Sequence, residues 1–256
     1  MKRIFFTLLT ASFAIISMQA QDLQIHKIDG TIITIQLNAI DSITFGSSDS
    51  TWPPGTVHCS GTPTAIVDVT NPATGKTWMD RNLGASQAAT SSTDAQAYGD
   101  LYQWGRFADG HQCRNSGNTS VLSSSDTPGH SNFIVAPNLP GDWRSPQNNN
   151  LWQGAGGTNN PCPTGYRLPT EAELNAERQS WSSNNASGAF NSPLKLPVAG
   201  LRGLGNGSLF YVGSDGYYYS SSVNGTLAWG LGFDYSAANV SYSGRAIGFS
   251  VRCIKD

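Results

Sequence analysis

Between residues 194 and 253, short apolar or aromatic runs alternate with clusters of Gly, Ser and Asn. Runs of this length bounded by turn-forming residues read as strands and loops, which commits the last third of the chain to sheet. Four strands are predicted: 195–201, 209–212 continuing to 222, 228–233 and 248–254. Successive side chains of a strand point to opposite faces, so the tyrosine run must split, with Tyr218 facing away from Tyr217 and Tyr219. The segments around these strands are rich in Tyr, Trp, Ser and Asn. That mixture offers contact area at low entropic cost with adaptable hydrogen bonds, as recognition loops do.

The rest of the chain reads as a frame. Residues 65–69 alternate as a strand, and 76–80 form another after a turn over 71–75. Over 93–108, Tyr98, Leu101, Tyr102 and Gly105 recur at helical spacing, with Thr93 at the N-cap position. A second helix starts at Thr170, where Glu173 completes a capping box and Leu174, Arg178 and Trp181 share a face. The long stretch between the two predicted helices is aperiodic and rich in Asn, Gly, Ser and Pro; Phe133, Ile134, Trp143 and Trp152 are its means of folding onto the body. Arg167, Arg245 and Arg252 sit among apolar neighbours, where carbonyls or the carboxylates of Asp80 or Glu173 are expected to hold them.

The N-terminus addresses compartment. Lys2 and Arg3 precede an apolar run over 4–16, and Ala20 offers a small residue at a cleavage edge. Residues 1–20 therefore read as a signal peptide, too short in its apolar part to span a bilayer core of ~30 Å. The mature chain is expected to begin at Gln21 and to be secreted, held at the cell surface or kept in the periplasm. Residues 21–46 form a short β-rich segment around an Asp29-Gly30 hairpin turn, 47–56 have linker composition, and the main domain starts at 57. Charged residues make up 12% of the 256, net charge is −2 and no basic run exists. Nucleic acid and membrane insertion of the mature chain are thus not expected. In an oxidising compartment the four cysteines, whose spacing matches no CxxC metal pattern, would form two disulfides.

Four segments carry a resemblance: TGKTWMDRNLGAS (74–86), YGDLYQWGR (98–106), NPCPTGYRLPTEAEL (160–174) and GFSVRCIKD (248–256). Together they resemble the Fibrobacter succinogenes major paralogous domain family, related to the formylglycine-generating sulfatase-activating domain, over about residues 57–256. The resemblance implies an α+β, C-type-lectin-like fold, with two helices packed on a twisted mixed or antiparallel sheet and long loops displaying a binding surface. It also implies a pairing of the cysteines, since short relatives carry only those matching Cys162 and Cys253, which leaves Cys59 with Cys113.

Chemistry finds little purchase. The copper-binding relatives need a pair of nearby cysteines, but only Cys253 stands in that region, and a Ser-rich run over 219–224 occupies the pair's place. The iron-type His-x-x-x-His-x-Glu cluster is missing, because His26, His58, His111 and His130 are scattered. There is no Gly-x-Ser-x-Gly elbow, HExxH helix or Walker loop, and Glu171 and Glu173 point in different directions on a helix. Glu-Pro-Asn, Gln-Pro-Asp and Trp-Asn-Asp, the marks of a calcium-dependent sugar site, do not occur. No cofactor, metal or catalytic residue is therefore assigned.

The expectation is an exported, non-enzymatic protein that binds a protein or glycan ligand. Its contacts are expected from Tyr217, Tyr219, Leu227, Trp229, Gly230, Gly232, Asp234, Tyr235, Ser241, Tyr242, Ser243, Gly244 and Ile247. The stretch 227–247 resembles the variable tails of proteins altered by diversity-generating retroelements, which mutate template adenines, commonly in AAC codons. Changing the first two bases of AAC cannot yield Lys, Glu, Gln, Met or Trp; the first four are absent from 203–254, while Trp229 requires another codon. An ordinary lectin loop would share this composition. Two alternatives stand beside this reading: a structural or tip subunit of a surface fibre, with 21–46 contacting other fibre subunits, and an unrecognised formylglycine-type oxidase.

Overall fold

The computed structural model describes residues 23–26, 32–35 and 52–256. The chain divides into two units, Met1–Asp49 and Ser50–Asp256. In the first, β1 (Leu23–His26) pairs antiparallel with β2 (Ile32–Ile35), setting Leu23 opposite Ile35 and Ile25 opposite Ile33. The expected Asp29-Gly30 turn and the expected signal peptide lie outside the described residues.

The second unit begins before the expected boundary at 57. Trp52 packs against the larger core cluster and stands edge-on to His58 at 5.2 Å, while the Thr56 hydroxyl donates to the Pro53 carbonyl at 2.7 Å. One partly buried indole outweighs the linker-like composition of its neighbours.

Strands β3 (Asp68–Asn71) and β4 (Lys76–Met79) form a hairpin; β4 falls within the expected 76–80, whereas β3 starts three residues later than the expected 65–69 and runs to Asn71, whose side chain accepts from the Ala73 N–H at 2.9 Å. Over 93–108 the expected helix does not form. A single 3-10 turn, Ala95–Ala97, follows Asp94, whose carboxylate takes the Thr90 and Gln96 N–H groups. Gly99 and Gly105 then turn left-handed at φ 65° and 78°, a conformation other residues rarely adopt. A Cβ on Gly99 would lie 2.2 Å from the Leu83 carbonyl oxygen. The apolar residues spaced like a helix instead flank β5 (Tyr102–Gln103).

The long middle stretch contributes β6 (Asn118–Thr119) and β7 (Phe133–Ile134), paired in parallel, and folds inward as expected: Phe133, Ile134, Trp143 and Trp152 are fully buried. After β8 (Tyr166–Arg167), α1 (Glu171–Gln179) starts where the capping box puts it. Thr170 Oγ1 accepts from Glu173 N at 3.2 Å, and Glu173 Oε2 accepts from Thr170 N at 2.9 Å. Its buried residues are Leu174 and Glu177, with Arg178 on the flank; Trp181, expected on the same helical face, follows the helix end and is buried there. Glu177 is buried because Asn71 Nδ2 and Trp181 Nε1 donate to its carboxylate at 2.7 and 3.2 Å. A short α2 (Ala186–Asn191), too brief for periodicity to reveal, is capped by Asn185.

The C-terminal third is sheet, but more finely divided than expected: β9 (Leu201–Arg202), β10 (Leu209–Phe210), β11 (Gly216–Asn224), β12 (Leu227–Phe233), β13 (Ala238–Ser243), β14 (Gly248–Phe249) and β15 (Ile254–Lys255). Left-handed Lys195 and Gly200 shorten the run expected over 195–201, and left-handed Tyr211 and Gly213 cut 209–222 in two. Strand β13, outside the four expected strands, carries an alternating pattern in ANVSYS that sets Ala238, Val240 and Tyr242 on one side. Two four-stranded sheets run β3-β4-β15-β8 and β10-β9-β14-β5, and a three-stranded sheet runs β11-β12-β13.

This last sheet has a core on both sides. Tyr218, Leu231 and Phe233 join Trp78, Leu174 and Trp181 in one cluster, while Tyr219 and Ala228 join Trp104, Trp143, Trp152 and Phe249 in the other. Tyr218 thus faces away from Tyr217 and Tyr219, as alternation requires. Disulfides Cys59–Cys113 and Cys162–Cys253 close the unit in the pairing that the resemblance implies, and they suit an oxidising environment. No helix among the described residues is long and apolar enough to cross a membrane. Among the described residues the architecture is mixed α+β with two α-helices and several antiparallel sheets.

Candidate functional site

The frame arginines are held as their neighbours predict. Arg167 makes a fork to Glu173 at 2.8 and 2.9 Å, Arg252 donates to the Met79 and Leu194 carbonyls and to Asn82, and Asp80 pairs with Arg81 at 2.6 Å instead. Arg245 is buried, 4.6 Å over the Trp104 ring, and donates to Asn149 Oδ1 and the Gly225 carbonyl. These cations fix the strands and loops that carry the expected contact residues.

Strand pairing decides where those residues go. On β12, Trp229 shares the α1 side of the sheet with Leu231 and Phe233, and register sets Trp229 opposite Tyr242. Their rings meet edge-on at 5.3 Å, and Tyr242 is 52% exposed. Leu227, half-buried, shares this side. Gly230 and Gly232 belong to the opposite side, across from Ser241 and Asn239 on β13 and from Tyr219 and Tyr217 on β11. Ser243, across from Ala228, lies on that side too. The single face expected over 227–247 is therefore two faces of one sheet.

Two expected contacts are corrected by burial. Tyr219 is fully buried, its hydroxyl 3.0 Å from both the Gly244 and Ile247 carbonyl oxygens, so it anchors the 244–247 loop from below. Gly230 is also buried, and a Cβ there would lie 2.8 Å from the Tyr218 carbonyl oxygen. Gly244 is tight as well, its Cβ position 3.0 Å from the Gly141 carbonyl. Gly232 differs: an added Cβ would meet only the Tyr217 ring, at 3.6 Å, and Asn239, at 3.7 Å. Ile247 is half-buried against the larger core.

The β12–β13 turn is rigid at its base and open at its tip. Asp234 Oδ1 accepts from the Ser236 N–H and hydroxyl, both at 2.6 Å, and from Ala237 N at 2.9 Å, which holds its carboxyl below the usual carboxylate range. Tyr235 next to it is 87% exposed. Tyr217 is half-buried, its ring stacked on Phe249 at 5.2 Å and its hydroxyl donating to Asp215 Oδ2 at 2.9 Å. Burial and that carboxylate push its phenol pKa upward.

Beside Tyr217 lies a feature that the sequence reading passed over as strand. Leu209, Phe210, Tyr211 and Val212 are consecutive and all at least 42% exposed. A run of four adjacent apolar residues reads as a buried strand, so no pattern in the sequence announces its exposure.

Asp109 and His111 look like an acid–base pair, with His111 Nδ1 2.7 Å from Asp109 Oδ1, but His111 Nε2 accepts the Gln103 N–H at 3.0 Å. Both ring nitrogens are occupied, and burial with the nearby Arg106 lowers the imidazole pKa to about 4. No group of three or more His, Cys, Asp or Glu among the described residues could hold a metal ion. A cleft of about 640 Å³ between Pro53, Phe107, Asp126 and Pro163 includes none of the expected contact residues.

Fold and surface together define a disulfide-stapled α+β domain that presents polar and aromatic side chains from a braced sheet. No family model, curated protein or solved structure matches the chain.

Proposed function

We propose that the chain is an exported, non-enzymatic binding protein with a C-type-lectin-like domain, whose specificity resides in the outward side chains of β12, β13 and the turn between them. One observation carries this reading. Ser241, Tyr242 and, in the turn, Tyr235 are exposed while Leu231, Phe233 and Ala238 of the same hairpin are core, so exposed and frame residues share one backbone. Changing the exposed set would leave Leu231, Phe233 and Ala238 in the core. That is the property a diversified surface needs, and retroelement-driven change of 227–247 is part of the proposal at the open positions.

The test is an array of cell-surface glycans and proteins, probed with the secreted chain and with a Tyr235→Ala/Ser241→Ala/Tyr242→Ala variant. Loss of the parent's binding in a variant with unchanged melting supports the reading. Unchanged binding would refute it.

A further inference from the structure

We propose that Phe210, Tyr211 and Tyr217 form a stacking platform for a neutral polysaccharide, a site that adjoins the β12–β13 surface. The inference deepens the binding reading above and rests on it. The three rings form a row: Phe210 and Tyr211 are 6.3 Å apart, as are Tyr211 and Tyr217. Such steps are on the scale of neighbouring sugar rings in a chain. Apolar faces of sugars lie on aromatic faces, and preformed rings lose little entropy on binding.

Each ring is held in place. Phe210 lies over Gly203, where a Cβ would be 2.7 Å from the ring, and Tyr217 lies over Gly232 and stacks on buried Phe249. Tyr211 is left-handed at φ 58°, and the turn around it is tied by the Ser214 and Asp215 N–H groups donating to its carbonyl. A large aromatic residue in that conformation is costly for the fold, and at 57% exposure its ring contacts only neighbouring surface rings, the pattern of strain kept at functional sites.

The rim selects the ligand's charge. Residues 203–217 and 232–241 include Asp215 and Asp234 and no Lys or Arg. Asp215 already accepts from Ser214 Oγ at 2.6 Å and from Tyr217 at 2.9 Å, and a carboxylate has further lone pairs for sugar hydroxyls. Sulfated, phosphorylated or carboxylated chains would be repelled. Successive rings are tilted by 43° and 48°, so the platform fits a chain whose sugar rings turn along its length better than a flat crystalline surface.

The experiment is affinity electrophoresis of the secreted chain in gels containing laminarin, soluble amylose, mannan or a carboxymethylated glucan, each with and without EDTA. Retardation by at least one neutral polymer, undiminished by EDTA and absent with the carboxymethylated one, is expected. Tyr211→Asn, which tolerates the left-handed backbone, and Phe210→Ala should each weaken it about three- to tenfold, while Val121→Ser, on a distant exposed segment, should not. Melting curves establish that the variants fold. Absence of retardation by every neutral polymer, or retardation unchanged in both ring variants, overturns the platform. If array binding still depends on Tyr235, Ser241 and Tyr242, the broader binding reading survives that failure. Ring-dependent capture of a proline-rich peptide in place of glycan would also overturn the assignment.

Discussion

Tyr217 lies on Phe249 with their planes 22° apart, joining a half-exposed ring to the centre of the larger core. Phe249 is 4.5 Å from Tyr219, which meets Trp152 at 6.0 Å, which meets Trp104 at 5.8 Å. The surface ring is thus the end of a packed aromatic row. Phe249→Ala should cost about 3–5 kcal/mol, whereas Tyr217→Phe, which removes only the hydrogen bond to Asp215, should cost about 1 kcal/mol or less. Urea unfolding of the two variants measures the difference, and equal losses would show that the row is not a structural unit.

The two strand glycines make opposite predictions. Gly230→Ala forces a Cβ to within 2.8 Å of a backbone carbonyl and should destabilise by about 1–3 kcal/mol. Gly232→Ser enters ordinary contact and should stay within about 0.5 kcal/mol of the parent. If 227–247 is diversified, coding sequences of sister copies should vary at 232 and keep glycine at 230.

Each disulfide should matter by a similar amount, because both close long loops, with separations of 54 and 91 residues. Replacing either pair by alanine should cost about 4 kcal/mol through the unfolded chain. Chemical denaturation of the two double variants checks this, and non-reducing peptide mapping that joined Cys113 to Cys162 would contradict the connectivity.

Acid and base should act on different residues. Asp100 is 7% exposed, none of the described residues donates a hydrogen bond to its carboxyl, and burial raises its pKa from 3.8 to about 7. Because the folded value is the higher one, its stabilising contribution is complete below pH 3.8 and is lost as pH rises through 7. His111 has the reverse sign: its folded pKa is about 4 against 6.5 unfolded, so stability falls as pH drops through that window. Asp100→Asn should therefore raise stability at pH 8, by at most about 4 kcal/mol, and change it little near pH 4. Thermal melts across that range give the profile, and an equal effect at both ends would contradict it.

Much of the frame was legible because its signals are local. The Thr170 and Glu173 capping box fixed the start of α1, the Asn71 turn fixed β3 and β4, and the isolated tryptophans of the middle stretch could only be buried. The failures were tertiary. Gly99 is glycine because the Leu83 carbonyl needs the space, and no spacing of Tyr98, Leu101 and Tyr102 reveals that contact. Glu177 takes the buried stripe of α1 because Asn71, more than a hundred residues away in the chain, supplies its donor. At the candidate site, composition located the recognition-like stretch, but pairing across β11, β12 and β13 determined which side chains emerge. Tyr219 and Gly230, opposite each other on β11 and β12, are lost to the interior.

The central claim, a fixed frame carrying an exchangeable surface, is tested most directly by a displayed library randomised at Gly232, Tyr235, Ser241 and Tyr242. Sorting it for protease resistance and, separately, for binding to a panel of cell-surface glycans and proteins reads frame and surface independently. Most members should resist protease like the parent while different members capture different ligands. Collapse of resistance across the library, or binding that never departs from the parent's, would contradict the account.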